Sequence, residues 1–192
     1  MARTKSSSKP SARDRIMEAA ADLFYQEGVQ NVGIDRVIAE SGVAKMSLYN
    51  NFKSKDALIA AWLQQRDANW RKWFQKTVEN KTTDPAQQLL AIFDVLKEWF
   101  SQPDFRGCAF INSSVELVDP AHPGYQVAVE HQQAIFSYIL KLVKAAKIAN
   151  PDTVAEQLLL LIEGAIVVAM MRRDPAAATH AKAAANTLIQ AA

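Results

Sequence analysis

The stretch SGVAKMSLYNNFKSKDAL, residues 41–58, places a glycine-containing turn directly before a short run of polar, basic and aromatic residues. Its apolar positions Val43, Leu48 and Phe52 are spaced so that all three can face one core. The side chains that then point outward belong to Lys45, Ser47, Tyr49 and Asn50. An outward face of this kind suits contact with a polar partner better than it suits a buried core.

The residues before this stretch predict two further helices. Ser11 can cap a first helix that runs to about Glu27, and a second, short helix is expected from Ile34 to Ser41. Gly42 stops that helix, and a third is expected over Lys45–Asn51. Two short helices joined by a glycine-containing turn indicate a helix-turn-helix, whose second helix enters the major groove of DNA.

The composition predicts a soluble, all-helical protein. The chain has 192 residues, of which 49% are hydrophobic and 22% charged, with only 6 glycines and 7 prolines. One cysteine excludes an internal disulfide and suits a reducing cytoplasm. The longest apolar run, residues 158–171, is interrupted by Glu163 and is shorter than the roughly 20 residues of a membrane span. We therefore expect a cytoplasmic protein without a membrane segment.

The N-terminus is basic and rich in serine, without the apolar stretch of a secretory signal. Charge alone supports two interpretations equally: an arm that contacts phosphates, or a solvated disordered tail. The five cations in the first fifteen residues are Arg3, Lys5, Lys9, Arg13 and Arg15.

The rest of the chain predicts six more helices and no flexible linker. Ser54 can cap a long fourth helix that connects the N-terminal unit to the remainder. We expect a disordered arm at residues 1–10, a DNA-binding domain at 11–54 and a helical domain at 55–192. Helices are expected near 55–79, 85–101, 105–118, 124–147, 152–172 and 176–190, with proline-containing dipeptides at most of their boundaries.

Two consecutive segments carry a family resemblance. AAADLFYQEGVQNVGIDRVIAESGV (19–43) and AKMSLYNNFKSKDAL (44–58) resemble the DNA-binding region of TetR-family transcriptional regulators. The resemblance implies an N-terminal three-helix helix-turn-helix domain joined by a long helix to a C-terminal helical domain for ligand binding and dimerisation. It also implies a palindromic double-stranded operator, a small-molecule effector and a homodimer.

Carried over by position, the resemblance implies that residues 45–51 form the recognition helix. Tyr49 and Lys55 match positions that usually hold phosphates, whereas Met46 stands where a small residue is common. Ala44 and Gly33 replace the usual hydroxyl side chains at the two helix starts. The expected DNA-binding residues are Gly33, Ile34, Lys45, Met46, Ser47, Tyr49, Asn50, Lys53 and Lys55.

Candidate effector-binding residues lie beyond residue 60, where all four tryptophans occur. Asn112 and Glu116 are surface residues in one interpretation and the polar groups of an aromatic cavity in the other. His131 shares a helical face with apolar residues, which favours a hydrogen-bonded core residue over a metal ligand. The expected ligand-binding set is Trp62, Trp73, Phe93, Cys108, Phe110, Asn112, Glu116, His131 and Tyr138.

Cys108 has two interpretations. Helical spacing places it on a stripe with Ile111, Val115 and Val118, so we expect a small buried apolar residue. Some members of the resembling family carry a similarly placed Gly-Cys pair and sense electrophiles, and that role would require an accessible thiol with a lowered pKa.

The last two helices predict the dimer interface. Residues 158–171, LLLLIEGAIVVAMM, are apolar on more than one side, and residues 176–190 are rich in alanine. Both helices could instead complete the monomer core, with Glu163 facing solvent.

No catalytic motif, glycine-rich phosphate loop or metal-ligand spacing occurs in the sequence, so we expect neither an enzyme nor a cofactor. We expect a regulator, more specifically a repressor that a ligand releases. The alternative is a helical small-molecule-binding or interaction protein without DNA function.

Overall fold

The computed structural model describes residues 10–192, and within that range all regular structure is α-helical. The predicted all-α fold class is confirmed. Most of the arm expected at residues 1–10 lies outside the described residues. The helices are α1 (Ala12–Glu27), α2 (Ile34–Ser41), α3 (Lys45–Asn51), α4 (Lys55–Lys81), α5 (Pro85–Phe100), α6 (Ala109–Leu117), α7 (Pro123–Ala145), α8 (Pro151–Arg172) and α9 (Ala176–Ala191).

The start of α1 is fixed by a capping box. The Asp14 N–H donates to Ser11 Oγ at 3.1 Å, and the Ser11 N–H donates to the Asp14 carboxylate at 3.2 Å. The hydrogen bonds from Ser11 hold the pKa of Asp14 below its usual range. Helix α1 packs against α2, α3 and α4, so it forms the support on which the two short helices rest.

Helix α4 connects the N-terminal unit to the C-terminal helices without a break. Ser54 caps it by accepting from the Ala57 N–H at 3.0 Å, and its 27 residues pack against α1, α5 and α7. Buried side chains from Ile16 to Ala185 belong to one continuous apolar cluster. A displacement of α4 would therefore change the packing of both α1 and the C-terminal helices.

Helix α6 departs most from its predicted bounds. It begins at Ala109 rather than near residue 105, and it ends at Leu117. Gly107 has a φ of +86°, a conformation that interrupts a right-handed helix and that side-chain-bearing residues rarely adopt. Residues 101–108 therefore form a loop that crosses toward α1 before α6 starts.

Helix α8 matches the predicted bounds of 152–172 to within one residue and is strongly apolar. It has 22 residues, and an 18-residue window reaches a mean hydropathy of 2.0, so length and composition alone would let it cross a membrane. A core helix can pass the same test, so the expectation of no membrane segment stays a prediction. In this fold α8 packs against α7 and α9, but only 39% of the window is buried, and Leu160 and Met171 are exposed.

Candidate nucleic-acid interface and effector cavities

The turn between α2 and α3 fixes the direction of α3. Gly42 adopts the left-handed conformation (φ 61°, ψ 30°), and its N–H donates to the carbonyls of Ile38 and Ala39. On α3, Leu48 is fully buried, and Val43 and Phe52 on either side are buried with it. The apolar side of α3 is thus held against α1, and its opposite side faces solvent.

The solvent-facing side of α3 carries most of the residues that the sequence assigned to DNA. Met46 is 70% exposed and Tyr49 40% exposed, while Lys45 and Asn50 are also exposed. Ser47 is half-buried, and its carbonyl accepts from Asn51 Nδ2 at 2.7 Å. This face presents a cation, an amide and a phenol, which are groups that contact phosphates and base edges.

Lys45 is held loosely by a surface ion pair. Its Nζ lies 3.2 Å from Asp35 Oδ1 on α2, and both side chains are more than half exposed. Exposed pairs of this kind contribute at most about 1 kcal/mol, so an anionic partner can displace Asp35.

The residues expected to face the phosphate backbone lie at helix starts. Gly33 is exposed and caps α2 without a side-chain hydrogen bond, with half-buried Ile34 beside it. Lys53 is exposed. Lys55, in the first turn of α4, is half-buried, and its Nζ lies 3.4 Å from the Gln30 carbonyl oxygen.

Two of the N-terminal cations contact the helix-turn-helix itself. The Arg13 guanidinium lies 5.1 Å from the centroid of the Phe52 ring, and Arg15 Nη1 donates to the Gly42 carbonyl at 3.4 Å. These two arginines therefore belong to the folded unit. Arg3, Lys5 and Lys9, by contrast, lie outside the described residues.

Polar contacts connect the DNA-binding unit to the loop before α6 and to α6 itself. The Gln30 N–H donates to Glu116 Oε2 at 2.8 Å, while the Gln30 carbonyl accepts from Lys55. The Tyr25 hydroxyl donates to the Gly107 carbonyl and accepts from the Arg106 N–H, both at 3.0 Å. We call these bonds the interdomain contact. Through Gln30, which bonds both Glu116 and Lys55, they link α6 to a candidate phosphate-binding lysine.

Three cavities beside α4 contain predicted effector residues, and they divide most of those residues among them. A polar cavity of about 690 Å³ lies between the end of α1 and α6, and it includes Asn112 and Glu116. A cleft of about 610 Å³, which we call the tryptophan cleft, is lined by Trp62, Trp70, Trp73 and Trp99. A third cavity of about 20 Å³ is lined by residues that include Cys108, Phe110 and His131.

Phe93 and Tyr138 line none of these three cavities and are packing residues, whereas Asn112 and Glu116 are held by hydrogen bonds. Phe93 is 1% exposed in the core. Tyr138 is buried against Phe74, and burial raises its pKa to about 12. Asn112 Nδ2 donates to the Arg106 carbonyl at 2.9 Å, so Asn112 braces the loop and Glu116 binds Gln30. The structure thus does not bring the nine residues into one pocket.

His131 is a hydrogen-bonded residue of the core. Its Nδ1 lies 2.7 Å from Asp67 Oδ1, and its ring stacks on Phe110 with the centroids 3.7 Å apart. Burial lowers the pKa of His131, although Asp67 opposes that effect. Burial alone would raise the pKa of Asp67, but hydrogen bonds from Arg71 and His131 outweigh it and hold that pKa below its usual value.

Cys108 is buried, but the stripe that the sequence suggested for it is wrong. Val115 and Val118 are 73% and 77% exposed, and Cys108 is the N-cap of α6 rather than a residue within the helix. Burial raises the pKa of the Cys108 thiol. A buried thiol of raised pKa is a weak nucleophile, as expected for a small packing residue.

Sequence reasoning missed several residues that shape these cavities. Arg66 on α4 lines both the tryptophan cleft and the small cavity, and its guanidinium carbon lies 3.9 Å from the centroid of the Tyr25 ring. Tyr25 lies on α1, and in the sequence it is noticeable only as part of the segment 19–43 that resembles the TetR family. The sequence shows only that Arg66 is a cation in the tryptophan-rich part of α4. Its contact with Tyr25, about 40 residues earlier in the sequence, is not visible in a local pattern. Across residues 10–192 no group of three or more histidine, cysteine, aspartate or glutamate side chains could hold a metal ion.

Comparison with known proteins identifies the class to which this architecture belongs. The profile described as "Bacterial regulatory proteins, tetR family" matches residues 16–62, and that of the "Tetracyclin repressor-like, C-terminal domain" matches residues 85–185. The second match alone covers more than half of the chain. The chain therefore belongs to the TetR family, and it is a DNA-binding transcriptional regulator of that family.

Similar proteins with a regulatory role span nearly the whole chain. The TetR-family regulator SCO4454 from Streptomyces coelicolor is 29% identical, with a TM-score of 0.86 over 93% of this chain and 94% of its own. The regulator sav143 from Streptomyces avermitilis is 31% identical, with a TM-score of 0.80 over 92% and 99%. The HTH-type transcriptional regulator YjdC from Escherichia coli (strain K12) is 24% identical over 85% of this chain and 86% of its own. These relatives are regulators of transcription rather than enzymes.

Proposed function

We propose that the protein is a homodimeric repressor that binds a palindromic operator and leaves it when a small molecule occupies the C-terminal helical domain. The observation that carries the proposal is the exposed face of α3, which Leu48 and its neighbours hold outward. Residues 11–54 act as the DNA-binding domain and residues 55–192 as the effector and dimerisation domain. A regulator of this kind works in the cytoplasm, where the chromosome is accessible.

The DNA contacts divide by chemistry. Lys53, Lys55 and the uncapped start of α2 at Gly33 and Ile34 contact phosphates, which position the protein without reading sequence. Asn50 can read a base edge, because its amide both donates and accepts in the geometry of adenine. Lys45 and Ser47 assist in the groove, Met46 supplies an apolar contact and Tyr49 binds a phosphate through its hydroxyl.

The dimer interface is proposed on α8 and α9. A groove of about 420 Å³ runs between the two helices, and its floor includes the small residues Gly164, Ala181 and Ala184. Leu160 and Met171 are 68% and 76% exposed, which leaves an apolar face of α8 uncovered in the single chain. A second copy would cover that face about a two-fold axis and place two recognition helices in successive major grooves, about 34–36 Å apart.

The effector signal passes through the interdomain contact. A ligand in the cavities beside α4 shifts α4 or the loop before α6, because both line the cavity walls. Since Gln30 is bonded to Glu116 on one side and Lys55 on the other, such a shift changes the position of Lys55. The ligand thereby favours a conformation in which the two recognition helices no longer match the operator.

The test is operator binding measured as a function of salt. The purified protein should bind its own promoter region with an affinity that falls steeply as salt rises, because lysines displace counterions from phosphates. Lys55→Ala should weaken binding to all sequences alike and reduce the salt slope by about 1. Lys76→Ala, an exposed lysine at the far end of α4, is the matched control and should change neither quantity.

Substitutions on α3 test the reading of sequence. Asn50→Ala and Ser47→Ala should change the ranking of operator variants, whereas Lys55→Ala should leave the ranking unchanged. Absence of any salt-dependent binding in the parent protein would contradict the regulator function and leave a helical small-molecule-binding protein as the remaining explanation.

A further inference from the structure

Arg66 is a cation without a close acidic partner in the described part of the chain. Among residues 10–192, none of the ion pairs within 4 Å includes Arg66. Its side chain is half-buried, and the guanidinium carbon lies over the Tyr25 ring, 3.9 Å from the ring centroid. A guanidinium has five N–H donors in one plane, and stacking on an aromatic ring occupies none of them.

The surroundings of Arg66 are aromatic. All four tryptophans of the chain line the tryptophan cleft, together with Tyr25. Trp70 is central to this wall, with ring centroids 5.4 Å from Trp99 and 6.1 Å from Trp73. Trp73 is 40% exposed, so part of the aromatic surface is available to a ligand. Flat aromatic walls with one polar group that fixes orientation are typical of sites for small aromatic molecules.

The other charged groups at these cavities do not compete strongly for Arg66. Asp104, on the loop before α6, lines the tryptophan cleft but is exposed to solvent. Glu163 on α8 lines the small cavity rather than the tryptophan cleft. Neither carboxyl group lies within 4 Å of Arg66, so the cation remains available to an anion of complementary shape.

We propose that the effector is a planar aromatic compound with a single carboxylate, which pairs with Arg66 while its ring packs against the tryptophans of the cleft. The cleft volume of about 610 Å³ accommodates molecules of one or two fused rings. A carboxylate matches the guanidinium with two parallel hydrogen bonds, which is the geometry of the strongest charge-assisted contacts.

This ligand class also explains how binding reaches the DNA-binding unit. A carboxylate that pairs with the N–H groups of Arg66 contacts the same guanidinium that lies over the Tyr25 ring, so Arg66 links the bound ligand to Tyr25. Tyr25 lies on α1, and its hydroxyl holds the loop at Arg106 and Gly107. This inference rests on the proposed function, because the ligand that it describes is the effector of the proposed repressor.

The first experiment compares acids with their amides by isothermal titration calorimetry. The probes are phenylacetate, indole-3-acetate and 1-naphthaleneacetate, each beside its uncharged amide of nearly the same shape. At least one acid should bind with a dissociation constant below about 1 mM and about 10- to 100-fold more tightly than its amide. If every acid fails to bind, or if the amides bind equally well, the proposed ligand class is overturned.

The second experiment assigns the effect to Arg66. Arg66→Gln should weaken binding of the acid by about 10- to 100-fold and leave binding of the amide unchanged, with Arg66→Lys intermediate. Lys72→Gln, which removes an exposed positive charge from the same helix, is the control and should bind as the parent does. Circular dichroism checks that each variant is folded, and equal affinity of Arg66→Gln and the parent for the acid contradicts the role of Arg66.

Operator binding without any probe separates this inference from the proposed function. A parent protein that binds its operator but shows no preference for acids refutes the ligand class alone. A protein that binds acids through Arg66 but never binds DNA refutes the repressor function and leaves the anion site intact.

Discussion

The DNA-binding unit and the C-terminal helices show opposite relations between sequence and surface. In α1–α3 most of the large apolar residues are buried, and apart from Met46 and Tyr49 the exposed face is polar. In α8 the apolar residues exceed what the chain can bury, with Leu160 and Met171 left exposed. The first surface is complementary to a nucleic acid, and the second is complementary to another apolar surface. We therefore expect the N-terminal unit to be fully folded in a single chain and the exposed face of α8 to be covered by a second copy.

The strongest test of this comparison removes the C-terminal partner. Gly164→Arg and Ala184→Arg place bulky charges in the groove between α8 and α9. We expect a monomer in light scattering and an operator affinity lower by roughly 10²- to 10⁴-fold, because two linked recognition helices bind far more tightly than one. Ala68→Arg, on the exposed side of α4, should remain a dimer with parental affinity.

The oligomeric state of the parent decides this prediction. A parent that is monomeric at micromolar concentration contradicts the dimer itself. A dimer that survives both groove substitutions places the interface on another surface.

The next test disrupts the N-terminal unit and spares the C-terminal one. Leu48 is fully buried, and Leu48→Ala leaves a cavity that should cost about 2–5 kcal/mol of unfolding free energy. Operator binding should be lost while light scattering still finds the parental oligomer. Met46→Ala on the same helix, at 70% exposure, should change the unfolding free energy by less than about 0.5 kcal/mol. A Leu48→Ala protein that is as stable as the parent would show that the α3 core is less important than its burial implies.

The two regions also differ in how far their sequences predict them. The bounds of α2 and α3 are as predicted, because a glycine stop and three apolar residues within ten positions are local signals. The start of α6 was placed four residues early, since the conformation of Gly107 depends on the contact of its loop with Tyr25. Glu116 lines the polar cavity, but its hydrogen-bond partner Gln30 is 86 residues away, and helical periodicity cannot predict such a pairing.

The candidate effector site shows the same limit. Each tryptophan is visible in the sequence, but which of them share a cleft depends on the packing of α4 against α5. We propose Arg66 as an effector contact because, among the described residues, no carboxylate forms an ion pair with it within 4 Å. Local patterns contain no information about that absence.

A smaller effect is expected where the two regions meet. Glu116→Ala removes the acceptor for the Gln30 N–H and should lower the unfolding free energy by about 1–2 kcal/mol. Hydrogen exchange should accelerate in a peptide that covers residues 28–31, while Glu116→Gln, which keeps an acceptor, should retain most of the protection. Glu130→Ala on the exposed side of α7 is the control. Unchanged exchange in Glu116→Ala would mean that the interdomain contact does not hold the α1–α2 turn.

The smallest effect concerns His131, which lies wholly within the C-terminal core and should titrate without regard to DNA. Burial depresses its pKa in the folded protein below the ordinary value of about 6.5, so the unfolded chain binds the proton more readily. The stability that depends on neutral His131 is complete above about pH 6.5 and declines as pH falls toward the lowered folded pKa. The decline cannot exceed about 1.4 kcal/mol per pH unit for one group.

Asp67 cannot produce this loss in the same window, because its lowered pKa moves its contribution to more acidic conditions, below about pH 4. Urea unfolding at pH 7.5, 6.5 and 5.5 should show a smaller loss of stability in His131→Gln than in the parent, because glutamine can hydrogen-bond Asp67 but does not titrate. Lys141→Gln, at an exposed position on the same helix as His131, should follow the parent. Equal pH dependence in the parent and His131→Gln would show that the histidine is not the titrating group, and the acid sensitivity of the C-terminal core would then have to come from elsewhere.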